Sequence, residues 1–151
     1  MKNRLQQLLI SLIMLCCMGS LQAEAVLTDM QGVRIPFSSL KGKWVMINFW
    51  ASWCQPCLDE IKELNAFYKA NKDRVALFAV NFDAIPVADQ MALISQLGIK
   101  YPSLSKNPSQ QLRLGAIRGV PATFVFDPQG NFYDSLYGGL TQRALRKVIA
   151  G

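Results

Sequence analysis

The sequence predicts an α/β domain with one mixed central β-sheet, helices on both faces and an extra β-hairpin at the N-terminus. Three observations indicate this fold class. Apolar runs of strand length alternate with segments in which apolar residues recur every three or four positions. Strands separated by helices are expected to be parallel, through right-handed crossovers. A short turn between the last two strands adds an antiparallel edge.

The first half of the chain contains a hairpin, a long strand and a helix. Residues 26–37 read as two short strands around a turn. The run WVMINFW at 44–50 is apolar except for Asn48, which is typical of a central strand covered on both faces. A helix is expected from Pro56 to about Asn71, because apolar spacings of three and four begin there and proline is tolerated in a first helical turn.

The second half continues the alternation of strand and helix. Residues 74–82 predict a second buried strand, and residues 87–98 predict a helix closed by Gly98. The remaining expected elements are a short strand within 102–105, a short helix within 109–117, strands at 121–127 and 132–139, and a closing helix capped by Thr141.

The N-terminus has the three parts of a secretory signal peptide. A basic start, MKNR, precedes the apolar run LLISLIMLCCMG, and cleavage sites lie after Ala23 and Ala25. The run is shorter than the roughly 20 residues of a spanning helix. We therefore expect residues 1–23 to be removed on export and residues 24–151 to form the domain. An uncleaved membrane anchor and a lipoprotein modified at Cys16 are the alternatives.

Composition excludes several classes of function. The chain has no histidine, which removes Ser-His-Asp and Cys-His nucleophile systems, the HExxH zinc site and c-type haem attachment. The basic side chains are scattered, so we expect no binding to nucleic acid. Signal cleavage would leave only Cys54 and Cys57 of the four cysteines. Two cysteines are too few for a structural zinc site, and we expect no metal.

The pair Cys54 and Cys57 is the motif that carries chemistry. It lies between a buried strand and a helix, where unpaired backbone N–H groups lower the pKa of a cysteine from about 8.5 to about 3.5–7.5. Cys54 is expected to be exposed and Cys57 to be partly covered by the helix. That order suits exchange in which Cys54 attacks a disulfide and Cys57 resolves the mixed disulfide. The alternative is an inert disulfide, although so short a loop stabilises a fold little.

The segments NFWASWCQPC and GVPATFVFD resemble thioredoxin-fold proteins, and most closely the exported thiol–disulfide oxidoreductases of the TlpA/ResA type. This group includes cytochrome c maturation reductases. The similarity runs from about Val26 to the end of the chain. It implies a thioredoxin fold and a periplasmic reductant of disulfides in exported proteins, with apocytochrome c as one candidate substrate. A membrane-bound thiol donor would recharge the dithiol.

The resemblance also assigns roles to individual residues. Cys54 matches the nucleophile and Cys57 the resolving thiol, and their disulfide is the only redox group implied, without a further cofactor. Pro121 matches the family's cis-proline. Val120 before it would offer backbone groups to an extended substrate. The residues expected to bind substrate are Trp53, Gln55, Pro56 and Val120. From its size, we expect the protein to be a monomer.

Two acids are weaker candidates for the proton acceptor of Cys57. Asn48 stands where thioredoxins carry a buried acid, and an amide cannot act as a base. Glu60 is three residues after Cys57 and can share its helix face, although the simpler interpretation is that it stabilises the first helical turn. Asp83 follows the second buried strand, one residue before the position at which some relatives place an acid.

Two other functions remain open from sequence. A disulfide oxidant or isomerase of the same fold would differ in how strongly it stabilises the Cys54 thiolate, and Gln55 and Pro56 do not decide this. Oxidants of this fold often carry a histidine between the two cysteines, which this chain lacks. A binding or assembly module with incidental cysteines would retain its activity when Cys54 is replaced by alanine.

Overall fold

The structure is a computed structural model that describes residues 23–150. The expected signal peptide, apart from Ala23, lies outside the described residues. The elements are β1 (Val26–Thr28), β2 (Arg34–Pro36), a 3-10 helix (Phe37–Leu40), β3 (Trp44–Trp50), α1 (Gln55–Asn71), β4 (Val75–Asn81), α2 (Val87–Leu97), β5 (Ser103–Leu104), β6 (Ala122–Phe126), β7 (Phe132–Tyr137) and α3 (Gln142–Val148). None of the helices within 23–150 has the length and hydropathy needed to cross a membrane.

Five strands form the central mixed sheet, in the order β5-β4-β3-β6-β7. The central strand β3 pairs in parallel with β4, from Trp44 opposite Val75 to Trp50 opposite Asn81. On its other side β3 pairs antiparallel with β6. Strands β1 and β2 form a separate antiparallel hairpin. The mixed sheet and the additional hairpin predicted from the sequence are therefore confirmed.

Alternate residues of β3 face opposite sides of the sheet, and each side has its own core. Met46 and Trp50 lie on the side against which apolar residues of all three α-helices pack. Ile47 and Phe49 lie on the other side. That second core is closed by the hairpin, the 3-10 helix and side chains from residues 112–117. Both faces of the sheet are thus covered, which explains why β3 reads as a continuous apolar run.

The short helix predicted within 109–117 is absent, and that prediction is wrong. Residues 109–113 form consecutive turns. Leu112 N–H donates to the Pro108 carbonyl at 2.9 Å, but Arg113 adopts a φ of 54°. A residue in this left-handed region cannot continue a right-handed helix. The apolar side chains of the segment still face the sheet, so its periodicity reflected burial rather than a helix.

The three α-helices begin or end at residues that the sequence marks. Cys54 is the N-cap of α1, where its sulfur accepts the Cys57 N–H at 3.3 Å. Gly98 ends α2 with a φ of 67°, a conformation that glycine adopts without steric penalty. Thr141 caps α3 by accepting the Ala144 N–H on Oγ1 at 3.3 Å. The first of these caps places the cysteine pair at a helix N-terminus.

Candidate active site

Cys54 and Cys57 form a disulfide where β3 leads into α1, with their Cα atoms 5.3 Å apart. β3 ends at Trp50, and residues 51–53 carry the chain to the helix. Cys54 Sγ accepts a backbone N–H of the first turn. The sulfur therefore lies at the positive end of the helix dipole, where a thiolate would be stabilised once the disulfide is reduced.

Cys54 is buried, and the expectation that it would be exposed is wrong for this disulfide form. Its residue is 5% exposed and Cys57 is 1% exposed. The reason is the N-cap geometry, which turns the Cys54 side chain back over the first helical turn and into the core beneath it. The neighbouring Trp53, Gln55 and Pro56 are exposed, and Trp53 is 70% exposed. The disulfide is therefore largely covered and is surrounded by these exposed side chains.

The Val120–Pro121 peptide bond is cis, as the resemblance implied. Pro121 is buried and directly precedes β6, the antiparallel neighbour of β3. Val120 packs against the core that contains both cysteines. Within residues 23–150 the Val120 N–H and C=O have no backbone hydrogen-bond partner. The sheet thus brings a free backbone segment to the strand that leads to Cys54.

A buried polar network lies on the helix side of the sheet. Glu60, one helical turn beyond Cys57, is 3% exposed, and Asn48 of β3 is 1% exposed. Asn48 Nδ2 donates to Glu60 Oε1 at 2.8 Å and to Thr123 Oγ1 at 3.0 Å. The Leu140 N–H donates to Glu60 Oε2 at 2.8 Å. The Tyr101 hydroxyl donates to Asn48 Oδ1 at 3.4 Å.

Glu60 lies beyond the first turn of α1, and its hydrogen-bond partners belong to β3 and to the loop before α3, so the structure does not support the interpretation that it stabilises the first turn. Burial raises the pKa of Glu60 above its usual value, and the N–H groups of Asn48 and Leu140 offset this only in part. Burial, and then the charge of Glu60, raise the pKa of Tyr101. The phenol therefore stays protonated and acts as a donor. A carboxylate with a raised pKa is a better proton acceptor than an ordinary surface glutamate.

A cleft of about 270 Å³ connects Glu60 with the surface between the start of α1 and the loop before α3. Pro56 and Glu63 line it together with Glu60 and Leu140. Glu63 Oε2 accepts the Gln142 N–H at 2.8 Å, so two successive glutamates of α1 hold this loop. In the part of the chain that the structure describes, no three acidic or thiol side chains are grouped as a metal site would require.

Asp83 supports the loop before the cysteines. Its carboxylate accepts the Ser52 N–H at 2.9 Å, the Ser52 hydroxyl at 3.2 Å and Asn81 Nδ2 at 2.7 Å. These bonds join the end of β4 to the segment that carries Trp53 and Cys54. The structure therefore places Asp83 as a support of the active-site loop, while Glu60 is the acid on the helix face of Cys57.

Three members of the network were not identified from the sequence. Thr123, Tyr101 and Leu140 come from β6, from the segment before β5 and from the loop before α3. Thr123 had a detectable signal, because it is the polar residue of an apolar strand and pairs with Asn48 in register. Tyr101 and Leu140 lie in irregular segments, and no local pattern distinguishes them.

Comparison with known proteins assigns the chain to a family. Residues 19–134 match the AhpC/TSA family. The thiol-disulfide oxidoreductase ResA of Bacillus subtilis (strain 168) is 34% identical over 132 residues, which are 87% of this chain and 73% of that protein. ResA of Bacillus anthracis is 30% identical over 125 residues, 82% of this chain and 72% of that protein.

A solved structure shows the same likeness in three dimensions. The thiol:disulfide interchange protein, thioredoxin family protein from Chlorobium tepidum TLS has a TM-score of 0.68 and 26% identity, covering 84% of this chain and 91% of that one. The family match includes Cys54, Cys57 and Pro121. Exchange between this dithiol and another disulfide is the activity on which geometry and relatives agree. The chain therefore belongs to the AhpC/TSA family and is a thioredoxin-fold thiol–disulfide oxidoreductase of the ResA type.

Proposed function

We propose that this protein is an exported reductant, which passes two electrons from its dithiol to a disulfide in another exported protein. Export to the periplasm is supported by the signal-peptide pattern of residues 1–23. A membrane-bound thiol donor restores the dithiol, because a reductant in an oxidising compartment needs a dedicated supply of electrons. The protein acts as a monomer in this proposal.

The exchange uses the two cysteines in turn. The Cys54 thiolate attacks one sulfur of the substrate disulfide, the substrate S–S bond breaks, and one substrate thiolate leaves. Cys57 then transfers its proton to Glu60 and attacks Cys54 Sγ, which releases the second substrate sulfur as a thiolate. The substrate has gained two electrons, and the protein is left with the Cys54–Cys57 disulfide. The cleft beside Pro56 lets the proton on Glu60 pass to solvent.

The observation that carries the direction of electron flow is the buried carboxylate of Glu60, one turn from Cys57. A negative charge disfavours a nearby thiolate. It therefore destabilises the reduced form relative to the disulfide and lowers the reduction potential. Strong oxidants of thiols do the opposite and stabilise their reduced form. The chain also has no histidine that could place a positive charge beside Cys54.

We assign substrate binding to the surface formed by Trp53, Gln55, Pro56 and Val120. Trp53 offers an exposed apolar ring, and the free N–H and C=O of Val120 can pair with an extended substrate segment as an added strand does. A segment that crosses Val120 would run beside the strand connection that leads to Cys54. Apocytochrome c, whose haem-binding cysteines must be reduced, is the substrate that the family resemblance favours.

The equilibrium reduction potential of the Cys54–Cys57 pair against glutathione tests the direction. A value well below about −200 mV supports a reductant, and a value near −120 mV would identify a strong oxidant. Cys57→Ser stops the exchange at the mixed disulfide, so mass spectrometry of the trapped complex identifies the substrate. If Cys54→Ala retained full activity in the cell, the protein would instead be a binding module.

A further inference from the structure

The amide of Asn48 joins Glu60 to Tyr101, and its orientation matters for the charge on Glu60. Both amide hydrogens are used, one by Glu60 Oε1 at 2.8 Å and one by Thr123 Oγ1 at 3.0 Å. Asn48 Oδ1 accepts the Tyr101 hydroxyl at 3.4 Å. A flip of the amide would exchange the donor and the acceptor that face Glu60.

The observed orientation suits an ionised Glu60, because a carboxylate accepts hydrogen bonds and does not donate them. After a flip, Asn48 Oδ1 would face Glu60 Oε1, and the two oxygens would repel each other unless Glu60 carried a proton. The orientation of Asn48 therefore decides which protonation state of Glu60 the network supports. The Leu140 N–H donates to the other carboxylate oxygen at 2.8 Å and takes no part in this choice.

Tyr101 is the group that selects between the two orientations. The hydroxyl of Thr123 can donate or accept and so fits either one. The Tyr101 residue is 4% exposed, and Asn48 Oδ1 is the only acceptor of its hydroxyl among the described residues. A flipped amide would leave the phenol hydrogen buried without a partner, which is unfavourable.

We propose that Tyr101 is a positioning residue for the proton acceptor: its hydroxyl fixes the Asn48 amide with the NH₂ group toward Glu60, which keeps Glu60 ionised and able to accept the proton of Cys57. This inference rests on the role given to Glu60 in the proposed function. Tyr101 acts through Asn48 and takes no part in the exchange of sulfur bonds.

The charge on Glu60 depends on its hydrogen bonds, because the groups around it carry no positive charge. From β3 and the loop before α3 it accepts hydrogen bonds from the uncharged groups of Asn48 and Leu140, and Thr123 of β6 bonds to the same Asn48 amide. The titratable groups near it are Cys57 on the same helix, Asp59 and Glu63 in the same cleft, and Tyr101. All of these are neutral or negative, so the N–H donors are what oppose the effect of burial on Glu60.

Tyr101→Phe removes the hydroxyl and keeps the ring, and Glu60 is then titrated by ¹³C-carboxyl NMR in the reduced protein, with Glu60→Gln for assignment. We expect the proton affinity of Glu60 to rise about tenfold, the order expected when a hydrogen bond to a charged group is lost. The acid limb of the pH–rate profile for resolution of the mixed disulfide should move to higher pH by about one unit, which corresponds to the same tenfold change in proton affinity. In the Glu60→Gln background, Tyr101→Phe should have no effect on this limb.

Tyr68→Phe is the matched control. Its ring lies 6.4 Å from that of Tyr101, and its hydroxyl is not part of the network. We expect the titration of Glu60 to be unchanged in this variant. A shift as large as that in Tyr101→Phe would overturn the inference, because it would show a general effect of loosening the aromatic cluster.

An unchanged titration of Glu60 in folded Tyr101→Phe would also overturn the inference, whatever the reduction potential of the protein. A high reduction potential would reject the proposed direction of electron flow and leave the effect of Tyr101 on Glu60 measurable. If Tyr101→Phe does not fold, 3-fluorotyrosine at position 101 replaces it. As a stronger donor it should lower the proton affinity of Glu60, and an unaltered or raised affinity would contradict the inference.

Discussion

At the scale of the residue, Glu60 shows burial and hydrogen bonding acting against each other. Burial dominates and raises its pKa, while the donors Asn48 and Leu140 oppose the shift. The folded protein therefore binds this proton more tightly than the unfolded chain does. The stability that comes with the protonated form is complete below the usual glutamate pKa of 4.5 and is lost as the pH rises through the folded pKa.

Glu60 contributes to the free energy of unfolding an amount that decreases as the pH rises, and we expect Glu60→Gln to remove this pH-dependent contribution. In the wild-type protein, the contribution of Glu60 to the free energy of unfolding should decrease as the pH rises above 4.5. Urea denaturation of the oxidised protein across the acid-to-neutral range measures both curves. Glu63→Gln, which alters the next glutamate facing the same loop and leaves the Glu60 carboxyl in place, is the control and should retain this component. If the unfolding free energies of wild type and Glu60→Gln depended on pH in the same way, the folded state would not disfavour the charged form of Glu60.

Asp83 allows a second prediction about a single residue. Asp83→Ala removes the acceptor of the Ser52 N–H and hydroxyl, so the loop before Cys54 loses its tie to β4. We expect a loss of about 1.5–3 kcal/mol in unfolding free energy, the range for hydrogen bonds to a charged group, and slower exchange with a model disulfide. Asp73→Ala, at an exposed acid in the turn before β4, should change neither quantity. Retention of wild-type exchange kinetics by Asp83→Ala would remove its assigned role as a loop support.

At the scale of the element, α1 determines where the cysteines lie. It runs without interruption over 17 residues. Its first turn presents N–H groups to Cys54, and one turn further it directs Glu60 into the core. The same helix therefore supplies the dipole that stabilises a thiolate at Cys54 and the carboxylate to which we assign the opposite effect in the proposed function.

The helix end at Gly98 gives an element-scale prediction. Its φ of 67° lies in the left-handed region, and an added Cβ would meet no atom within 4 Å. Gly98→Ala should therefore lower the unfolding free energy by about 1 kcal/mol for conformational reasons alone. Gly119→Ala is a control, because Gly119 has equally open surroundings and no positive φ. A loss of equal size in both variants, measured by urea denaturation, would show that the φ at Gly98 is not the cause.

At the scale of the whole molecule, the redox state and the stability of the fold are linked. The disulfide closes a very short loop, which constrains the unfolded chain only slightly, and in the proposed function the charge of Glu60 adds to the preference for the oxidised form. We expect the oxidised protein to have the larger unfolding free energy of the two redox states. Urea denaturation with and without a dithiol reductant measures the difference. Cys54→Ala/Cys57→Ala should show no redox dependence, and a reduced wild type more stable than the oxidised one would indicate an oxidant.

The sequence by itself determined the elements and the reactive motif. Strand and helix positions follow from local periodicity, and Gly98 and Thr141 mark helix ends through their own backbone and side-chain chemistry. Cys54 and Cys57 were identified because a dithiol at a strand–helix junction is a local pattern. The cis bond before Pro121 was implied by family resemblance.

Only the tertiary structure decided the burial of Cys54, the partners of Glu60 and the turns at 109–113. The bond from Asn48 to Thr123 joins residues 75 positions apart, and the bond from Leu140 to Glu60 spans 80. Local periodicity carries no information about such pairs, because their geometry depends on how the strands are ordered in the sheet and on which helix covers them. The cysteine motif is therefore readable from a short segment, whereas the buried network around Glu60 exists only once the sheet is assembled.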